Sequence, residues 1–244
     1  MTMIQINQLH KTYGNITAVH ELNLDIRGGE MLALLGVNGA GKTTLIKLLS
    51  CVTGPTSGDA LLGGHSITRD AAKVKRIIGV SPQETAVAPN LTVKENLELI
   101  CGIHGFSREE TQARVRELCG QFALNEVLSR KAGKLSGGWQ RRLSIAMAMI
   151  GEPKILFLDE PTLGLDVLAR HSLWELIRSV KGQVTVILTT HYLEEAQALA
   201  DRIAIMGKGK LLAVGTAAEL MEKTHSQDFE TAFVSIAQKG VENL

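Results

Sequence analysis

The segment GVNGAGKT, residues 36–43, has the G-x-x-x-x-G-K-T spacing of a loop that binds phosphate groups. The apolar run MLALLG leads into it, and a helical pattern from Lys42 to Leu49 follows. Glycines allow backbone N–H groups to curl around phosphate oxygens, and the helix N-terminus adds partial positive charge. We therefore expect Lys42 to reach β- and γ-phosphates and the Thr43 hydroxyl to bind Mg²⁺. The residues predicted to bind the nucleotide here are Gly36, Val37, Asn38, Gly39, Ala40, Gly41, Lys42, Thr43 and Thr44.

Two adjacent acids, Asp159 and Glu160, end the apolar run KILFLDE. The carboxyl ends of parallel strands border the crevice where ligands bind, and consecutive strand residues point to opposite sides. The two acids are therefore expected to take different roles. Asp159 suits the Mg²⁺ shell, and Glu160 is expected to orient or deprotonate a water that attacks the γ-phosphate. Such a pair alone is more often solvated than catalytic, so this interpretation depends on the phosphate loop.

Three further side chains fit the same chemistry, although each residue type is more often structural than functional. His191 follows the buried run VTVILTT and is expected to sense the γ-phosphate. Gln83 follows the short strand RIIGVSP and can contact Mg²⁺ or water. Tyr13 can stack on an adenine ring, or it can be a packed strand aromatic. The predicted catalytic residues are thus Lys42, Glu160 and His191, and the predicted Mg²⁺ ligands are Thr43, Gln83 and Asp159.

The elements that must position these residues indicate an α/β fold. Partial alternation of apolar and polar residues, with GG turns, predicts an N-terminal antiparallel β subdomain within about the first 35 residues. Helical periodicity from about Thr92 to Lys134, with Ser107 and Glu110 in a capping-box pattern, predicts an inserted helical lobe. Strand and helix patterns alternate after residue 150. This alternation predicts a mostly parallel sheet flanked by helices, and with the phosphate-loop motif GVNGAGKT the expected fold is a P-loop NTPase core.

The whole chain, residues 1–244, is predicted to form one domain. Its expected parts are a β and phosphate-loop core at about 1–90 and 152–215, a helical lobe at about 91–151, and a helical tail at about 216–244. The 26 Lys and Arg residues nearly balance the 25 Asp and Glu residues, which argues against nucleic acid as a partner. Three cysteines without metal-ligand spacing favour a reduced, cytosolic setting. We expect no signal peptide and no membrane span, because the apolar runs are short.

Taken together, these motifs resemble those of the nucleotide-binding subunit of ABC transporters. LSGG, residues 135–138, is the most specific of them because it is the signature motif of that family. The matching residues follow one another in uninterrupted order over roughly residues 3–215: Tyr13 in KTYG, GVNGAGKT, Gln83 in SPQE, LSGG, ILFLDE, Asp166 in LGLD, and His191 in TTHYLEEA. The resemblance implies an ATPase that uses ATP and Mg²⁺.

The resemblance also implies a role for the second glycine-rich loop. In that family two subunits pack head to tail, and the signature loop of one caps the γ-phosphate held by the phosphate loop of the other. Here the capping residues would be Ser136, Gly137 and Gly138, and Asp166 would lie at the dimer interface and link the two sites. A loop that opens a helix offers N–H groups, a hydroxyl and a positive dipole end to an anion.

One signature position departs from the family pattern: a residue that is often glutamine is Trp139 here, with Gln140 after it. Such substitutions resemble exporter-type subunits, which pair with a separate permease. The resemblance therefore implies a cytoplasmic ATPase subunit, peripheral on the inner face of the cell membrane, that works as a homodimer or heterodimer and powers export through a transmembrane permease.

Two alternatives stay open at this point. The first is a soluble ABC-type ATPase of DNA repair, chromosome organisation or translation. The second is a module that senses ATP without hydrolysing it. The single cassette without a coiled-coil insertion disfavours the first, and the presence of Glu160 and His191 disfavours the second.

Overall fold

The strands form two sheets in the computed structural model, which describes the backbone of residues 1–242 and the side chains of residues 1–239. The strands are β1 Thr2–Tyr13, β2 Ile16–Arg27, β3 Met31–Leu35, β4 Ser57–Leu62, β5 His65–Ser66, β6 Ile78–Ser81, β7 Ile155–Asp159, β8 Thr185–Thr190, β9 Arg202–Gly207 and β10 Lys210–Gly215. The helices are α1 Lys42–Leu49, α2 Ala71–Ile77, α3 Val93–Ile103, α4 Arg108–Gln121, α5 Gly137–Met149, α6 Val167–Ser179, α7 Leu193–Leu199, α8 Ala217–Thr224 and α9 Phe229–Glu242.

The larger sheet has the strand order β10-β9-β3-β8-β7-β6, and only β10 in it runs antiparallel to its neighbour. Strands β3, β7 and β8 are buried along their whole length, as expected for parallel strands covered on both faces. These three strands are neighbours. Their carboxyl ends therefore deliver the phosphate loop, the two acids and His191 to one edge of the sheet.

The smaller sheet is antiparallel, with the order β2-β1-β4-β5, and it covers one face of the larger sheet together with α1. Strand β3 consequently lies between two apolar cores. Met31, Ala33 and Leu35 belong to the core that includes the helical lobe, whereas Leu32 and Leu34 belong to the core that includes the antiparallel sheet. The P-loop core, the antiparallel β subdomain and the inserted helical lobe confirm the predicted fold class.

The helical lobe consists of α3, α4 and α5 with two short 3₁₀ turns before α5. The predicted capping box of α4 is confirmed, with the Ser107 hydroxyl accepting from the Glu110 N–H and the Glu110 carboxylate accepting from the Ser107 N–H. Arg114 of α4 is buried and donates to the carbonyl oxygens of Met149 and Ile150. These carbonyls lie at the C-terminal end of α5, the signature helix, which begins within LSGG. Arg114 therefore links α4 to the end of that helix.

Helices α8 and α9 lie where the sequence predicts a helical tail, at about 216–244; residues 243 and 244 of that range lie outside the described residues. Phe229, Ala232 and Ile236 of α9 are buried in the same core as the helical lobe. The tail therefore packs on the body of the protein. Over residues 1–242, every helix is too short or too polar to cross a bilayer.

Candidate active site

The phosphate loop leads from β3 into α1, and its backbone requires glycine at two positions. Gly41 has a φ of 99°, in the left-handed region, and a Cβ there would clash with the carbonyl oxygen of Ala18 on β2. A Cβ at Gly36 would clash with the carbonyl oxygen of Met206 on β9. The loop is therefore packed tightly against β2 of the smaller sheet and β9 of the larger sheet, at the edge where the parallel strands end.

Lys42 begins α1 and is buried, with 6% of the residue exposed. Its ammonium group donates to the carbonyl oxygen of Gly36 at 2.6 Å and lies 3.5 Å from Oε1 of Glu160. Burying an ammonium group is costly unless it is paired, and the carbonyl and carboxylate oxygens supply the partners here. Phosphate oxygens are anionic acceptors as well, so Lys42 can exchange the carboxylate of Glu160 for a phosphate group.

Asp159 and Glu160 both contact the start of α1, so the expectation that they point to opposite sides is wrong. Strand β7 ends at Asp159, and Glu160 has a φ of 49°, in the left-handed region. The alternation of a strand does not extend to a residue with this conformation. The two acids nevertheless have different partners, because Asp159 accepts from the Thr43 hydroxyl at 3.3 Å and Glu160 faces Lys42.

Strand β8 supplies further partners for both acids. The Thr189 hydroxyl donates to Oδ1 of Asp159 at 2.5 Å, and its oxygen accepts from the backbone N–H of Glu160 at 2.9 Å. His191 follows β8, and its Nδ1 lies 2.7 Å from Oε2 of Glu160. An ionised carboxylate only accepts hydrogen bonds, so with Glu160 in that form Nδ1 is the donor of this contact. The His191 ring packs against Tyr192 with 4.1 Å between ring centres.

The oxygen donors beside the loop fit Mg²⁺. The Thr43 hydroxyl and an Asp159 carboxylate oxygen are 3.3 Å apart, and the exposed side chain of Gln83 lines the same cleft. Hydroxyl, carboxylate and amide oxygens are hard ligands, and Mg²⁺ in nucleotide sites uses a few of them together with phosphate oxygens and water. The assignment of these three residues as metal ligands stays a prediction.

A cleft of about 380 Å³ opens over the phosphate loop, a volume suited to a small molecule. The predicted residues that line it are Asn38, Gly39, Ala40, Gly41, Lys42, Thr43, Thr44, Gln83, Glu160 and His191; the residues that were not predicted are Ile16, Thr17, Ala18 and Leu163. Tyr13 ends β1 beside the turn to β2, is exposed, and is not part of the lining. The ammonium group of Lys11 lies 4.9 Å from the centre of the Tyr13 ring.

The signature loop does not line this cleft. Ser136 and Gly137 are exposed at the N-terminus of α5, and the Ser136 side chain makes no capping hydrogen bond. The loop lies instead beside the segment of Asp166, since the Cα of Gly137 faces Leu165. Asp166 is exposed and caps α6 by accepting from the Ala169 N–H at 2.9 Å. These residues therefore lie outside the lining of the cleft over their own phosphate loop, and the nucleotide contacts predicted for them stay a prediction.

Trp139 and Gln140 are both turned toward their own chain. Trp139 is half-buried under the guanidinium of Arg142, which lies 4.7 Å from the centre of the Trp139 ring. The Gln140 amide donates to the carbonyl oxygens of Ala132 at 3.1 Å and Leu135 at 3.3 Å. The Gln140 amide thus stabilises the turn before the signature loop. It is used within its own chain and does not take the place of the glutamine that the family often has at position 139.

A buried arginine connects the signature helix to the loop of Gln83. Arg141 is 5% exposed and donates to the carbonyl oxygens of Pro82 at 2.6 Å and Gln83 at 2.7 Å. Burial lowers the pKa of its guanidinium, and the negative charges of Asp159 and Glu195 act in the opposite direction. Nothing in the sequence singles out Arg141, because a residue beside Arg142 in a largely apolar helix carries no sign of its partner.

A buried glutamate lies behind the acids of the site. Glu195 of α7 is fully buried, and its Oε1 accepts from the Thr162 hydroxyl at 2.8 Å and from the Trp174 indole N–H at 3.0 Å. Burial raises the pKa of its carboxyl group, whereas hydrogen bonds from Thr190, Thr162 and Trp174 act in the opposite direction and the charge of Glu160 adds a smaller rise. One sequence signal was available, since Glu195 shares a helix face with the apolar Leu199 four residues later.

Comparison with known proteins adds family information to this geometry. A family profile described as "ABC transporter" matches residues 19–163. The doxorubicin resistance ATP-binding protein DrrA of Mycobacterium tuberculosis is 41% identical over 223 residues, which cover 90% of this chain and 67% of the relative.

Two solved structures are similar over most of the chain. One is described as the ATP-binding subunit of an ABC transporter, with a TM-score of 0.85, 28% identity, and coverage of 96% of this chain and 99% of that chain. The other is described as a dimeric ATP-binding cassette in a post-hydrolysis state bound to ADP and Pi. It has a TM-score of 0.79 and 28% identity, and the match covers 88% of this chain and 98% of that chain.

Proposed function

This chain belongs to the ABC transporter family as an ATP-hydrolysing cassette, and we propose that it drives export through a separate membrane-spanning permease. The observation that carries the proposal is the convergence of Lys42, Glu160 and His191 beside the phosphate loop. A cation for the phosphates, a carboxylate for the attacking water and an imidazole beside it are groups suited to cleaving a phosphoanhydride bond.

In the proposed mechanism, Glu160 accepts a proton from water as the water oxygen bonds to the γ-phosphorus. The bond between that phosphorus and the bridging oxygen of ADP breaks. Lys42 and the N–H groups of the loop stabilise the negative charge that moves onto the phosphate oxygens. His191 contacts the Glu160 carboxylate through Nδ1 and lines the cleft that would receive the γ-phosphate. Thr43, Gln83 and Asp159 would hold Mg²⁺, which would supply further neutralisation of phosphate charge.

The second part of the proposal is that two cassettes close head to tail around ATP. The exposed N-terminus of α5 carries Ser136 away from its own cleft, where it is available to a partner's γ-phosphate. Val167 and Leu168, directly after Asp166, are apolar and 64% and 83% exposed, which suits an interface. The similar cassette bound to ADP and Pi is described as dimeric. ATP would bridge two chains, and hydrolysis would remove the bridge.

The permease contact is proposed for the helical lobe. Leu99 and Ile103 of α3 are 48% and 72% exposed, and their spacing of four residues places them on one face of the helix. Arg141 connects the lobe to the backbone at Gln83, so a movement of the lobe would reach the cleft. A permease docked on α3 would hold the chain at the cytoplasmic face of the membrane.

Export is favoured over import because the relative from Mycobacterium tuberculosis is named for doxorubicin resistance. Resistance to a compound is consistent with its removal from the cell. The cargo itself would contact the permease. The exposed signature loop is compatible both with a homodimer and with a heterodimer that contains a sister cassette.

The test of this proposal is ATP-dependent efflux by the chain together with its membrane partner. Tagged full-length chain would be purified from detergent-solubilised membranes of its own cells, and the copurifying proteins identified by mass spectrometry. We expect a multi-span membrane protein, and inverted vesicles containing both should accumulate doxorubicin when ATP is added.

Lys42→Ala should abolish the accumulation, and Lys47→Ala, an exposed lysine on the same helix, should leave it unchanged. A soluble or nucleic-acid-bound partner, with no accumulation in vesicles, would contradict export and assign the chain to the soluble ABC-type ATPases.

A further inference from the structure

One buried carboxyl oxygen joins three chain segments around the site. Oε1 of Glu195 accepts from the hydroxyl of Thr162, two residues after Glu160, and from the indole N–H of Trp174 on α6. Glu195 itself lies on α7, four residues after His191. The segments that follow β7 and β8 therefore meet at a single atom, behind the contact of 2.7 Å between Glu160 and His191.

Stability alone gives little reason for a carboxyl group at this place. Glu195 is 0% exposed, and within residues 1–239 its Oε2 has no partner at hydrogen-bond geometry, although the Thr190 hydroxyl lies near enough to lower the pKa of the carboxyl group. An apolar side chain of similar volume would bury the same space without the free-energy cost of removing a carboxyl group from water. What an apolar side chain would lack is the acceptor for Thr162 and Trp174.

The link between Thr162 and Glu160 is short and stiff. Only Pro161 separates the two residues, and its ring fixes the backbone φ angle. A displacement of Thr162 would therefore move Glu160. Proton transfer requires Glu160 to lie within hydrogen-bond reach of the attacking water, and a misplacement of about 1 Å can lower a rate by as much as about 10²-fold.

We propose that Glu195 is a positioning residue for ATP hydrolysis, which holds the segment of Thr162 against α7 and thereby sets Glu160 beside His191. This inference rests on the catalytic roles proposed for Glu160 and His191. Glu195 does not contact the nucleotide cleft, so its effect is on geometry and not on nucleotide affinity.

Thr162→Val tests the inference, because valine keeps the shape of threonine and removes only the hydroxyl that Glu195 accepts from. In single-turnover Pi release by the full chain, we expect the hydrolysis rate to fall by about 10- to 100-fold while the ATP concentration at half-maximal rate stays within about twofold. Glu195→Ala should behave similarly. Glu195→Gln keeps an acceptor oxygen and should restore most of the rate. Glu194→Gln, an exposed neighbour on the same helix, is the matched control.

Thermal unfolding and the stoichiometry of bound fluorescent ATP analogue would be measured for each variant. Three results would overturn the inference. The first is a rate loss in Thr162→Val that only matches its loss of protein able to bind ATP, and the second is a wild-type rate in Thr162→Val. The third is a rate in Glu195→Gln as low as that of Glu195→Ala. Glu160→Gln in the same assay separates the two proposals. Wild-type hydrolysis by that variant would instead remove the role proposed for Glu160.

Discussion

Glu160 shares its two carboxylate oxygens between two different partners. Oε1 faces the ammonium group of Lys42 at 3.5 Å, and Oε2 faces Nδ1 of His191 at 2.7 Å. The same side chain thus lies between the group proposed to hold the phosphates and the group proposed to sense them. A substitution that keeps its shape and removes its charge separates chemistry from packing at this residue.

Glu160→Gln is expected to bind ATP and to hydrolyse it at least about 10²-fold more slowly, because an amide cannot take the proton of the attacking water. Single-turnover Pi release and binding of a fluorescent ATP analogue would measure the two properties. Glu194→Gln is the control, since Glu194 is exposed on α7. Unchanged hydrolysis would show that another group accepts the proton.

Glu195 predicts a pH dependence of stability. Burial raises the pKa of its carboxyl group above the usual value of about 4.3. Its contribution to stability is therefore fully present below about pH 4.3 and is lost as pH rises through the raised pKa. Glu195→Gln does not ionise, so its free energy of unfolding should increase relative to wild type as pH rises from about 4 to 8.

Urea unfolding at a series of pH values would measure this difference. The charged groups that act on the site, Glu160 and Arg141, are the same in both chains, so the difference isolates Glu195. Parallel curves for the two chains would mean that Glu195 has the same pKa in the folded and unfolded states.

At the scale of elements, α5 connects parts that the sequence keeps far apart. Its N-terminus presents Ser136, its middle holds the carbonyls of Pro82 and Gln83 through Arg141, and its last carbonyls accept from Arg114 of α4. One helix therefore contacts the proposed interface, the cleft loop and the helical lobe.

Arg141→Met is expected to lower the free energy of unfolding by about 2–4 kcal/mol. Methionine fills much of the volume but leaves two carbonyl oxygens without their charged donor. Urea unfolding would measure the loss, with Arg116→Met, an exposed arginine on α4, as the control. Equal stability of the two variants would mean that water replaces the guanidinium at the Gln83 loop.

The sequence predicts the elements better than the contacts between them. The fully buried strands β3, β7 and β8 follow from uninterrupted apolar runs, and the phosphate loop follows from its spacing. The left-handed φ of Glu160 was missed because strand alternation was extended one residue too far. The partners Thr189 and Glu195 were missed because a polar side chain in an apolar pattern does not reveal which distant group it satisfies.

At the scale of the whole molecule, the chain presents two separate sets of groups that are proposed to bind phosphate. The cleft over α1 holds one set, and the exposed loop before α5 holds the other. Because the second set lies outside the cleft, a two-fold pair of chains would complete two sites at once. The family places the chain among ATPases, and the proposed pairing would make each ATP molecule part of the interface.

Glu160→Gln with ATP and Mg²⁺ is expected to change from monomer to dimer in light scattering without the permease, because bound ATP bridges the two chains. Adding Ser136→Arg to this variant should prevent the dimer through steric and charge clash while sparing ATP binding. Ser129→Arg, in the loop before the second 3₁₀ turn, serves as the control. A chain that stays monomeric with ATP bound would contradict pairing of like chains and would favour a sister cassette.

The apolar pattern of strand β3 does not by itself fix how the strand aligns with its neighbours. It is apolar on both faces, so a slip by one residue along its neighbours would still bury five apolar side chains. Such a slip would carry the phosphate loop about 3.3 Å along the strand axis, away from Glu160. Asp201 accepts from the Met31 N–H at 3.0 Å, and Glu30 pairs with Arg202 at 3.0 Å. These polar contacts at the start of the strand are made only in the observed alignment, so they favour it over a slipped one that would bury the same apolar side chains.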